Sequence, residues 1–240
     1  MALRVFDPCP FNFSDQDIRV DVATIASERS LSGYQDIGGT GGGGIWLADF
    51  SGADFGDRDD AGRAETLYWR AINAGMRGGV IAVDVLFCDR LHQPVLDAIR
   101  VPHSDDTPFS DDSLYRSAGA ECQVVAAVNG QAGGLRATII DVRLTSERAL
   151  IGGERFSYHH PDWGWRAAEI ESVEDRGGGV SRLTFQPPIR GGIAAGAALD
   201  FDTIRCQMTR TSAASNALSQ GAFSTAEISF QEDMRPPVVP

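Results

Sequence analysis

At 240 residues, 42% of them hydrophobic, the chain is long enough for one large β domain or two small ones around a real core. It carries 33 acids against 21 bases, a net charge of −12, which argues against a surface that grips DNA or RNA, since phosphate binding needs Lys and Arg. No apolar run approaches the ~18 residues of a membrane span, and residues 1–8 lack the apolar centre of a signal peptide; the expectation is a protein assembled in the cytoplasm, without membrane insertion.

In chain order, Ile18, Val20 and Val22 alternate with Arg19 and Asp21 and predict a half-buried strand. The glycine run at 38–44 predicts a flexible hairpin turn. It is not a phosphate cradle, because no Gly-Lys-Ser/Thr follows it and no helix opens from it. Residues 45–50 predict a second strand. Asp59 or Asp60 can cap a helix by accepting its orphaned N–H groups. Ala64, Leu67, Tyr68, Ala71, Ile72 and Met76 then recur at helical spacing, which predicts an amphipathic helix over about 61–77 with that face inward. Gly78-Gly79 stops it. Residues 80–87 are too short and too β-branched for a helix and predict a buried strand. Asp105, Asp106, Asp111 and Asp112 make 101–120 an acidic, exposed loop.

Strands resume at 122–128 and 136–144. The block 152–208 then alternates short runs with turns: 155–158, 165–173 and 180–185, broken at Gly177-Gly178-Gly179 and Pro187-Pro188. Ile170/Ser172, Leu183/Phe185 and Leu199/Phe201 repeat every second residue, so one face can be buried and the other wet. Residues 209–224 predict a long polar loop and 226–230 a last strand. The expected fold is mainly β, an antiparallel β-barrel or sandwich with one amphipathic helix and long loops. Its expected parts are a barrel-like region at 1–100 holding the helix, the acidic loop at 101–120, a second antiparallel region at 121–232 packed with the first, and a Pro-rich tail at 233–240.

Little in the sequence points to chemistry. Cys9, Cys88, Cys122 and Cys206 are widely spaced with no C-x-x-C, which predicts small reduced core residues rather than a disulfide framework. Asp54, Asp57, Asp59 and Asp60 suggest a calcium loop, but Ala61 and Tyr68 fall where that loop needs ligands. His159 and His160 are adjacent on a predicted strand, so they point to opposite faces and are badly placed to share one metal. No Gly-x-Ser-x-Gly turn occurs. Trp163 and Trp165, with Tyr158, offer flat apolar rings for stacking a sugar; the competing reading is core or a subunit contact. The expectation is no catalytic, cofactor-binding or metal-binding residue.

The order of several motifs resembles a known family. Ser30-Leu31-Ser32-Gly33-Tyr34-Gln35 precedes a Trp-containing strand and a helix bearing Tyr68-Trp69-Arg70-Ala71 and ending in Met76-Arg77-Gly78. Later come Gly152-Gly153-Glu154-Arg155-Phe156-Ser157, Glu171-Ser172-Val173, and Leu183-Thr184-Phe185-Gln186-Pro187-Pro188-Ile189-Arg190. Gly196-Ala197-Ala198-Leu199-Asp200-Phe201, Cys206-Gln207-Met208 and Ala226-Glu227-Ile228-Ser229-Phe230-Gln231-Glu232 complete the series. Together these resemble the distal-tail and tail-tip proteins of the baseplate of long-tailed bacteriophages, or their counterparts in gene transfer agents, over most of the chain outside 101–120. The resemblance implies a structural virion protein with no catalytic residues. It implies a homo-oligomeric ring, usually a hexamer, that joins the tail tube protein to the baseplate hub protein and lets DNA pass. An acidic subunit suits a conduit that DNA traverses without adhering. The alternative is a carbohydrate-binding or cell-envelope-degrading tail module.

Overall fold

A computed structural model of the protein describes residues 5–22, 24–39, 43–55, 60–89, 92, 94, 99–101, 115–117, 121–125, 137–145, 149–212, 215–218 and 224–235. The fold is mainly β, with a half-barrel mixed sheet and a nearly closed antiparallel barrel.

The first half of the chain supplies β1 (Val5–Phe6), β2 (Asp15–Asp21), β3 (Thr24–Ala26), β4 (Ile37–Gly39), β5 (Ile45–Phe55), helix α1 (Asp60–Gly75) and β6 (Val83–Leu86). After β7 (Ile99–Val101) and β8 (Tyr115–Ser117) come β9 (Glu121–Val124), β10 (Ile139–Thr145), β11 (Arg155–His160), β12 (Gly164–Gly177), β13 (Val180–Gln186) and β14 (Ala198–Leu199). The chain closes with β15 (Arg205–Arg210), β16 (Ser215–Leu218) and β17 (Ser224–Glu232).

The half-barrel runs β1-β6-β15-β17-β5-β2, with β16 added to β17, and only β1 lies parallel to its neighbour. Its core is dense in rings: Phe6 lies 4.9 Å from Phe230, and Phe11 stands edge-on to Trp69 at 5.4 Å. Strand β5 turns its face once along its length. Trp46, Ala48 and Phe50 point inward, and beyond Gly52 the buried residues are Ala53 and Phe55. The switch is a bulge in which Ser51 and Gly52 together oppose Glu227. Gly52 has φ +70°, and a Cβ there would run into the Ser14 side chain, so a larger residue is strained at this position.

The second sheet runs β11-β12-β13-β10-β9-β14, all antiparallel. Ser157 and Asp200 exchange two backbone hydrogen bonds of 2.8 Å, joining β11 to the chain just past β14 and nearly closing the barrel. Phe156, Phe185 and Phe201 fill it. The long strand β12 is a shared wall: Ala167 belongs to the half-barrel core and its neighbour Ala168 to the barrel core. That follows from strand alternation alone.

Four expectations change. The strands in 121–232 do not form one region, because β15 and β17 return to pair with β6 and β5 from the first half of the chain. The long loop expected at 209–224 contains the end of β15 and all of β16, which continues β15 along the same side of β17. Its Ser-Asn-Ala-Leu sequence carries no apolar alternation by which a strand could be read. On α1, Trp69 is buried and Ile72 partly so, with Met76 buried just past its end, whereas Leu67 and Tyr68 are exposed, so the inward stripe is rotated from the expected face. Finally, Cys9 and Cys88 form a disulfide, while Cys122 and Cys206 are buried thiols as expected. The two partners are 79 residues apart in sequence, and spacing along a chain cannot reveal such a meeting. Strands β7 and β8 pair at the two ends of the acidic excursion; Asp105, Asp106, Asp111 and Asp112 lie outside the described residues.

Candidate functional site

The feature that stands apart from the packed body is the β3–β4 arm. Its strands pair over only three residues each, Thr24 with Gly39 through Ala26 with Ile37. All of residues 24–34 are exposed. The tip is nonetheless built in detail. Ser27 and Asp36 bond twice, through the Ser27 N–H to the Asp36 carbonyl (2.8 Å) and the Asp36 N–H to the Ser27 hydroxyl (2.9 Å). Gln35 Nε2 donates to the Ser27 carbonyl at 2.9 Å. Farther out, the Ser30 N–H donates to the Tyr34 carbonyl (2.8 Å) and the Tyr34 N–H returns to Ser30 Oγ (3.1 Å). Gly33, at φ +80°, closes the turn by donating to the Ser30 carbonyl. This scaffold holds Ile25 (66% exposed), Tyr34 (70%), Ile37 (64%) and a fully exposed Leu31 in water.

The second feature is a polar joint where β12 crosses the half-barrel. Arg166 is 1% exposed and its Nη1 donates to the Asp233 carbonyl (2.6 Å) and to Glu232 Oε1 (3.4 Å). The other Glu232 oxygen accepts the Trp46 N–H at 3.3 Å, and the Trp46 indole N–H donates to the Ala167 carbonyl at 2.8 Å. Arg190 Nε lies 3.6 Å from Glu232, and the Arg190 N–H donates to the buried Tyr158 hydroxyl at 3.0 Å. Burial pushes the Asp84 carboxyl above its ordinary value against the pull of Arg205, His159 and Arg166. Asp233 is also disfavoured by burial, but hydrogen bonds from the Arg235 side chain and N–H outweigh it and hold the carboxyl low. Nearby, Arg155 donates to the Ile18 carbonyl (3.0 Å) and to Glu169 (2.9 Å) and rests 5.5 Å over Trp46, a further tie between barrel and half-barrel.

The residues weighed from sequence fall as follows. Tyr158 is buried in the barrel core, Trp163 sits in the turn before β12, and Trp165 lies under the Arg205 guanidinium at 4.0 Å, so the three rings form no platform. His159 is exposed against Trp165, whereas His160 is buried with Nδ1 accepting the Asp162 N–H; the two do point to opposite faces. Asp57 and Asp59 lie outside the described residues, as do 40–42 of the glycine run. The Asp7, Cys9 and Cys88 side chains come together, but both sulfurs are spent on each other, with Asp7 accepting the Cys9 N–H at 3.0 Å. A cleft of about 480 Å³ beside Arg155 is lined by Phe13, Asp17, Ile18, Asp89 and His92. His92 is tied to Asp89 at 2.5 Å.

The sequence carried the arm's tip only as the motif at 30–35. No residue rule marked Arg166, which stands in a strand beside alanines and looks like an ordinary outward position. No helix among the described residues is long and apolar enough to cross a membrane. No protein-family model matches the chain, and no curated protein matches it at a significant level.

Proposed function

We propose that this protein is a structural subunit of the tail tip of a long-tailed bacteriophage or gene transfer agent. Copies of it form a ring that joins the tail tube to the baseplate hub and lets DNA pass. The observation that carries the reading is the arm: a tip fixed by its own hydrogen bonds that holds Leu31, Tyr34, Ile25 and Ile37 out in water. An isolated two-stranded hairpin is marginal in water, and a preorganised apolar projection is what a partner surface uses, since its ordering cost is met before binding. The motif order described above supplies the kind of assembly. The chain's acidity suits a conduit from which phosphate is repelled.

Sedimentation velocity and electron microscopy of the purified protein test this. The expected result is a closed ring, with the same ring found at a tail tip in particles from the producing cell. A compact monomer at every concentration, never recovered in a particle, sinks it.

A further inference from the structure

The outer face of α1 carries a second surface that the fold leaves unused. Trp69, Ile72 and Met76 face the core, and Arg63, Leu67, Arg70 and Ala74 lie along the opposite side at helical spacing, all exposed. Exposed Tyr68 and Ala71 flank that stripe, and exposed Arg77 follows just past its end. In a chain of net charge −12, these exposed positions hold three arginines and no acid. The arm has the converse character. Glu28 and Asp36 flank its tip and Asp21 stands at its base, against Arg29 alone, and its apolar side chains are aliphatic or aromatic. Each surface is apolar at its middle and charged at its margins, and the charges are opposite.

We infer that the arm of one copy seats Leu31 and Tyr34 on the Arg63–Leu67–Arg70 stripe of a second copy. Glu28 and Asp36 then meet the arginines. Because the two patches are different surfaces on one chain, the contact is head-to-tail, and repeating it generates a closed ring or an open helix according to the rotation between copies. The inference rests on the ring reading above and names the contact within it.

The test uses the full chain in two pools, one carrying Leu31→Cys and the other Leu67→Cys, with different tags. Under mild oxidation the mixed pools should form a crosslinked heterodimer that neither pool forms alone. Glu28→Arg/Asp36→Arg and Arg63→Glu/Arg70→Glu should each raise the concentration of half-assembly about tenfold or more. Mixed together, the two charge-reversed proteins should recover part of the loss at their matched contact. All four are surface changes, so circular dichroism should stay that of the parent. Rings that persist unchanged in both charge variants, with no mixed crosslink, overturn this contact and leave the ring reading standing; the arm then serves a different protein. Crosslinking in the Leu31→Cys pool alone overturns it in favour of arm-to-arm pairing. A parent chain that never assembles, with no crosslink in the mixed pools, removes both readings.

Discussion

Asp141 and Arg182 sit directly opposite on β10 and β13 and make two parallel hydrogen bonds, Nε to Oδ1 at 2.8 Å and Nη2 to Oδ2 at 3.0 Å. That fork matches the planar guanidinium to the carboxylate, and the Arg182 hydrogen bond holds Asp141 below its ordinary value of 3.8. The unfolded chain therefore takes up this proton more readily than the folded one. The stabilisation is complete above the unfolded value and is lost as pH falls through the folded one. Urea midpoints of the parent and Asp141→Asn should differ near pH 7, and the gap should shrink as pH falls below the ordinary carboxylate value of 3.8; a constant gap would show that the carboxylate's charge is irrelevant. The cysteines give a second prediction. Cys9 and Cys88 are 79 residues apart in sequence, and in the chain-entropy account a loop of that size stabilises by about 4.5 kcal/mol. Reductant or Cys9→Ser should lower the melting temperature clearly. Thiol titration of the unreduced, unfolded chain should read the two buried cysteines, Cys122 and Cys206, and double after reduction. Four reactive thiols before reduction would remove the bond from this account.

At the scale of elements, α1 offers the sharpest contrast between two side chains two residues apart. Trp69 is 1% exposed and packs against Phe6, Phe11, Phe13 and Phe55, whereas Leu67 is 48% exposed. Trp69→Ala should cost roughly 3–5 kcal/mol and Leu67→Ala less than about 0.5 kcal/mol in the dispersed chain. Equal losses in a denaturant titration would return Leu67 to the core. The helix itself was legible, because a run of sixteen residues carries its period whichever face is chosen. Its orientation was not, since Leu67, Tyr68, Trp69 and Ile72 are all apolar and only the shape of the facing sheet decides between them. Strands β10 to β13 were legible for a similar reason: alternation such as Leu183/Phe185 survives without knowing the partner strand. Pairing between distant segments was hidden, as β6 with β15 and Cys9 with Cys88 show, because nothing local encodes it. The candidate arm was half legible. Its tip stood out as a motif, but a short exposed ribbon with Ile25 and Ile37 on opposite faces gives no amphipathic signal.

For the whole molecule, the question is what makes one body of a half-barrel and a barrel. Ala167 and Trp46 supply apolar contact at the crossing, and the polar ties are the buried Arg166–Glu232 pair with its backbone partners, Arg190 beside Glu232, and Arg155 on the Ile18 carbonyl and over Trp46. Such a pair loses much hydration on burial, so its net stabilisation is weak although breaking it is expensive. The joint is also incompletely satisfied: Arg166 Nε and Nη2 and Gln207 Oε1 are buried without a hydrogen-bond partner among the described residues. The role we propose for it is to specify one crossing of β12 over β15, in which the guanidinium reaches both the Asp233 carbonyl and the Glu232 carboxylate. In the proposed ring that fixity would matter, because a small rotation between the two β layers of each subunit, summed around a closed ring, leaves a gap. Two substitutions separate specification from stability. Glu232→Gln strands the buried guanidinium and should cost about 3–5 kcal/mol. Arg166→Met with Glu232→Leu removes both charges together and should recover most of that loss in a denaturant titration, while broadening the amide spectrum of β12 or lowering the fraction of closed rings. A double variant that is as unstable as Glu232→Gln would show that the pair stabilises the joint outright, and unchanged spectra and rings would show that the apolar contacts alone set the crossing.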